Sequence, residues 1–267
     1  MAITSLDGLI AGMQPGWEFI KTVGPTMIVG RQYSFFYISG MPSAAIAPSP
    51  GLSGAALTDY AGQLIFPSPA SGNAYLARLT AMATVPGHLL LCDRLWHNSG
   101  IVITSTGVQT INSVEFPARD DDGTINGKGV RLGIEVSTLT GNNAPVFTAT
   151  YTNSANQSGK TGATFIATTS ATVAGSFFPI ALAAGDSGVK SVQTLQMSLS
   201  WTSGVVHLVA YRVLAKLDIP VANAPYSIDA ITGGLPKAYA GSVPFLIFMP
   251  GAVTASTLSG HYVWSHG

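Results

Sequence analysis

Two long stretches of this chain carry almost no charge: from Gln32 to Ala77 the only charged residue is Asp59, and from Val136 to Gly185 it is Lys160. Charged residues make up 9% of the chain and hydrophobic ones 47%, against about 25% charged in an ordinary soluble domain. A spanning helix needs roughly 20 consecutive apolar residues, and the most hydrophobic runs, Phe177 to Ala184 and Val243 to Val253, are short and broken by Pro179, Pro244 and Pro250. The expectation is a chain outside the membrane whose own surface is poor in charge. With 12 basic and 12 acidic residues the net charge is zero, a state that favours association. Partners covering that surface, identical or different, resolve the problem, so the first reading is an assembly component.

Nucleic acid is an unsuitable partner. Phosphate binding draws on clustered Lys and Arg, and here the basic residues are scattered singly. Pro15-Gly16 interrupts the one early apolar run, and the first basic residue is Lys21, so no secretory leader is expected. Cys92 lies among Leu89, Leu90 and Leu91 and reads as a buried thiol without a disulfide partner. Assembly in a cytoplasm follows from that reading.

The pattern predicts an all-β fold, a β-sandwich or jelly-roll core with an extended Gly/Pro/Ala-rich N-terminal arm. Residues 1–72 are read as the arm, with a short helix over Ser5 to Met13 capped by Ser5 and an aromatic strand over Arg31 to Ser39. Its aromatics Trp17, Phe19, Tyr33, Phe35, Phe36, Tyr37, Tyr60 and Phe66 are the candidate interface residues, since Trp and Tyr anchor subunit contacts. Residues 73–267 are read as the sandwich, ending in a Pro/Gly-rich extension. Strands are expected over Tyr75–Thr84, His88–Trp96, Gly100–Ser105, Gln109–Phe116, Val130–Ser137, Val146–Asn153, Thr164–Thr169, Phe177–Leu182, Val189–Trp201, Val205–Ala215 and Val243–Met249. Turn signals such as Asn98-Ser99-Gly100 and Gly141-Asn142-Asn143 separate them.

Four constellations offer chemistry. Gly185-Asp186-Ser187-Gly188 is similar to the nucleophile motif of chymotrypsin-like proteases, with His88 or His97 and Asp93 or Asp120 as triad partners. Val189 stands where that family has another glycine, and the run reads equally as a tight turn, which is the reading adopted: no enzyme, and no catalytic residue. Asp120, Asp121 and Asp122 form an acidic loop, expected to be exposed. Its spacing does not match an EF-hand, because aligning Gly123 with the loop glycine puts Ala118 at the first ligand position. His88, His97, His207, His261 and His266 include no close zinc-ligand pair, so neither metal nor cofactor is expected. Trp17, Trp96, Trp201, Tyr211, Tyr226 and Trp264 could stack on sugar, or equally fill a core.

The run from Leu91-Cys92-Asp93-Arg94-Leu95-Trp96 through Thr106 resembles virion proteins of tailed bacteriophages. So do Phe116-Pro117-Ala118-Arg119-Asp120, Val130 to Ser137, and Gly204 to Arg212. Together these segments span about the middle half of the chain. The resemblance implies a structural particle protein, a capsid decoration or cement protein located in the virion. Its partners would be the phage major capsid protein and copies of itself, with a homotrimer the expected oligomer. The alternative is a spike or fibre domain that binds host carbohydrate.

Overall fold

A computed structural model describes residues 3–22 and 24–267. The fold is all-β, with one short helix. In chain order the elements are α1 (Leu6–Ala11), β1 (Trp17–Lys21), β2 (Gln32–Ser34), β3 (Gly40–Met41), β4 (Ala55–Ala56), β5 (Ala74–Ala83), β6 (Gly87–His97), β7 (Gln109–Thr110) and β8 (Val130–Thr138). They continue as β9 (Phe147–Asn153), β10 (Lys160–Thr164), β11 (Ser176–Ala181), β12 (Val189–Met197), β13 (Val205–Ile219), β14 (Tyr226–Asp229), β15 (Lys237–Ala238), β16 (Pro244–Pro250) and β17 (Leu258–His266). Two compact units divide the chain: residues 1–45, 58–93 and 213–267 form the first, and 46–57 and 94–212 the second. The long strands β6 and β13 each contribute one part to either unit.

In the first unit one sheet runs β14-β5-β17-β1-β3. β17 is flanked by β5 on one side and β1 on the other, both antiparallel. The same unit pairs β16 with β2 and with the start of β6. Residues 1–72, which composition suggests as an arm, thus supply α1, β1 and β2 to this unit and β4 to the other, where Ala55 and Ala56 pair with His97 and Trp96. Aromatic burial drives this placement. Phe19, Tyr33, Phe35 and Phe36 are each at most 1% exposed, and Phe36 packs on Tyr37, Tyr60 and Phe245. Four of the eight expected interface aromatics are therefore core residues of their own chain, which corrects that assignment. Trp17, Tyr37, Tyr60 and Phe66 are half-buried.

The helix is capped as its sequence suggests, with the Ser5 hydroxyl accepting from Gly8 N at 3.1 Å, and none of its residues is buried. Lys21 sits in β1 where alternation calls for an apolar side chain. Its ammonium donates to the carbonyls of Ile38, Pro42 and Ser43. Burial pulls its pKa down to about 8, which still leaves a cation at neutral pH, and three acceptors make its burial tolerable.

The second unit packs Leu132, Ile134, Val136, Phe147, Tyr151, Phe178, Leu195, Trp201 and Leu208 into one apolar core. Its sheet runs β13-β8-β11-β10-β9-β12-β7. Gly133, in the middle of β8, faces Pro179 of β11 and Val209 of β13. A Cβ there would lie 2.4 Å from the Phe177 ring, which stands edge-on to Tyr211 at 5.2 Å. Only a missing side chain lets that ring cross the strand. Gly133→Ala is expected to lower stability by about 1–3 kcal/mol through overpacking. A urea titration checks this, and Phe177→Leu in the same chain should restore part of the loss.

Candidate functional site

The protease-like run does not assemble a triad. The Ser187 hydroxyl pairs with that of Ser154 at 2.8 Å, and the Asp186 carboxylate accepts from Tyr151 Oη and Asn153 Nδ2, each at 2.6 Å. Each proposed partner is engaged elsewhere. His88 Nδ1 lies 2.6 Å from Asp218, Asp93 accepts from Ser242 Oγ and Val243 N, and Asp120 holds its own loop. Gly185-Asp186-Ser187-Gly188 is a turn tying β9 to the segment before β12.

The acidic loop also differs from expectation. Asp121 and Asp122 are exposed, but Asp120 is 1% exposed. Its Oδ1 accepts from the amides of Asp122 and Thr124, and its Oδ2 from Thr124 Oγ1 and the amides of Gly127 and Lys128. The chain wraps the carboxylate as it would a cation's ligand shell turned inside out, with donors pointing at an anion. Burial raises the Asp120 pKa, but the hydrogen bonds from Thr124, Lys128 and Asp122 outweigh it and hold the group below the usual carboxylate range. Asp122 is paired with Lys128 at 3.0 Å. Among the described residues no group of three or more His, Cys, Asp or Glu side chains is placed to hold a metal ion.

A sugar-stacking platform finds little material. Trp96, Trp201, Trp264 and Tyr211 are buried, and Trp17 and Tyr226 are half-buried.

Four segments far apart in the sequence converge. Within the second unit the end of β6, the Phe116–Asp120 segment, β8 and the start of β13 meet around a buried polar cluster that sequence reading did not single out. Arg94 Nη2 donates to Glu135 Oε2 at 2.7 Å, with both side chains fully buried. Arg94 Nε donates to His97 Nδ1 at 3.2 Å, and Arg119 Nη2 donates to the Arg94 carbonyl. His207, opposite Glu135 in the β13–β8 register, lies 2.8 Å from the Asn98 carbonyl through Nδ1 and 2.8 Å from Ser137 Oγ through Nε2. Burial, then the charge of Arg94 and the neighbouring His207, push His97 down to about 2. Burial also lowers His207, against the pull of Glu135. His97 and His207 stand in the sequence as isolated histidines, and of this cluster only Arg119 and Glu135 fall in the charge-dense stretch from Glu115 to Glu135.

Folding therefore removes charge from a surface that had little. Eight of the 24 charged residues are buried: Lys21, Arg31, Asp93, Arg94, Arg119, Asp120, Glu135 and Arg212. Twelve are exposed, eight acidic and four basic. Against these, 21 large apolar side chains are exposed among the described residues, including Ile231 at 85%, Val253 at 66% and Leu6 at 64%. In the first unit Ile3, Leu6, Leu9, Ala230, Ile231 and Leu235 border a groove of about 380 Å³. This charge-depleted outer surface is the candidate functional surface.

No family model and no curated protein matches the chain. Its likeness to solved structures is slight. The infectious bursal disease virus VP2 subviral particle is 9% identical over 96% of this chain and 81% of that one, with a TM-score of 0.21. T=1 particles derived from the same virus give 10%, 96%, 79% and 0.19. The BFDV capsid protein, a 60-mer, gives 16%, 74%, 96% and 0.10. At such scores the likeness carries no argument about what this chain does.

Proposed function

We propose that this chain is a non-enzymatic structural component of a phage particle, a capsid decoration or cement protein that works by self-association and by adhesion to the shell. One observation carries the reading: exposed large apolar side chains outnumber exposed charged ones. A lone soluble domain of this size keeps both signs of charge interspersed over its surface, and the apolar grouping of Leu6, Leu9, Ile231 and Leu235 around one groove is the kind of exposure that marks contact with another macromolecule. Each 100 Å² of apolar surface removed from water contributes about 2.5 kcal/mol before ordering costs, and repetition over many copies multiplies the effect. The segments that resemble phage virion proteins build the interior of the second unit, so they speak for the scaffold, while the surface supplies the adhesion.

Sedimentation velocity over a hundredfold range of concentration should show a discrete oligomer, with a trimer expected. Co-sedimentation with phage heads lacking the protein should be saturable. Replacing Leu6, Ile231 and Val253 together with serine should weaken head binding at least about tenfold, the effect of losing 1.4 kcal/mol. A monomer at all concentrations that ignores heads would sink the proposal. Saturable binding to host cells instead of heads would make the chain an adhesin.

A further inference from the structure

We propose that the buried cluster of Arg94, His97, Glu135 and His207 is an acid-operated latch that holds the end of β6 to β8 and β13 at neutral pH and releases when His97 takes up a proton. The hydrogen-bond pattern requires the His97 ring to be neutral. A guanidinium Nε–H only donates, so His97 Nδ1, 3.2 Å from Arg94 Nε, must accept, and its proton sits on Nε2. A backbone carbonyl only accepts, so His207 carries a proton on Nδ1 toward Asn98 O, while its Nε2, 2.8 Å from Ser137 Oγ, can accept from that hydroxyl or donate to it.

The two rings meet acid differently. A proton arriving at His207 Nε2 turns that nitrogen into a donor. The Ser137 hydroxyl then accepts from it and swings its own proton toward Val205 O, 3.4 Å away. One hydroxyl rotation accommodates the charge. His97 has no such exit. Protonation of Nδ1 sets two N–H groups against each other and breaks the contact that orients Arg94 on Glu135.

The charged and titratable groups that face His207 are Glu135 from β8 and Arg94 and His97 from β6, with Arg119 reaching the Arg94 carbonyl from the segment before the acidic loop. Both folded-state values lie below the ordinary histidine value. The latch is therefore fully closed above about pH 6.5, and its contribution is lost progressively as pH falls below that.

The test is near-UV circular dichroism, which reads the packing of Trp96 beside His97, followed from pH 7.5 to 3.5 in the full chain. The wild type should lose its signal cooperatively on the acid side of pH 6.5. His97→Gln combined with His207→Gln should move that midpoint down by about one pH unit. An unmoved midpoint in a folded variant would overturn the latch. Should the double variant fail to fold, ring nitrogen-15 shifts of the wild type decide. His97 in the Nε2–H form and His207 in the Nδ1–H form at pH 7, with no protonation of His97 before structure is lost, support it. Reversible titration of His97 near pH 6.5 in the intact fold refutes it.

Discussion

Glu135→Leu is expected to cost about 3–5 kcal/mol, the largest effect of any single substitution considered, because it strands the Arg94 guanidinium in a site with no solvent contact. Equilibrium denaturation in urea would report it as a fall in midpoint with an unchanged slope. The pair itself adds little net stability, since desolvating two ions offsets most of their attraction. Removing both charges with Arg94→Met and Glu135→Leu should therefore recover most of what the single change loses. What the pair supplies is orientation: Arg94 bridges Glu135 on β8 and His97 on its own strand. An interior tolerant of the double change but not the single one would establish that role. Additive losses would instead show that each side chain is needed for its own packing.

Asp120→Asn is the second, at about 2–4 kcal/mol, and its chemistry differs. Each carboxylate oxygen accepts at least two hydrogen bonds. An amide can satisfy one side only, and its NH2 group then faces N–H donors whichever way it is flipped. Gly127 closes the wrap with φ +83°, and a Cβ there would collide with the Val189 carbonyl. The pH sign follows from the depressed folded-state pKa. Stability from Asp120 is present above the unfolded carboxylate value near pH 3.9 and is lost as pH falls through the lower folded value. The variant should lack that low-pH limb while keeping the histidine-driven loss that begins below pH 6.5. Two acid windows, separable by two mutations, are thus expected in one titration.

Much of the strand pattern was legible because alternation and turn residues agree. β8 at Val130–Thr138, β11 at Ser176–Ala181 and β16 at Pro244–Pro250 lie within a residue or two of their expected spans. Gly100–Ser105 misled for a physical reason. Ile101 and Ile103 are buried and Val102 exposed, as a strand requires, but the Gln109 side chain takes both the N–H and the C=O of Val102, at 2.8 and 3.0 Å. A side-chain amide there does the job of a neighbouring strand. β1 was missed because its inward positions hold Phe19 and Lys21, and a lysine whose charge is absorbed by three carbonyls looks like a surface residue on paper. The polar cluster was illegible for a related reason: Arg94, Glu135 and His207 lie 41 and 72 positions apart. Only the β6-β13-β8 order brings them together.

The placement of β17 bears on how the chain reaches this state. β1 is complete at residue 21, yet its main partner is not made until residues 258–266. At ~5–20 residues per second of synthesis, that strand waits roughly 10–50 s with its backbone unsatisfied. β5 waits for the same partner. During that interval a growing chain of low charge presents two sticky edges to every other nascent copy nearby. Pairing between nascent copies therefore competes with the native β1–β17 ladder until the last strand is made.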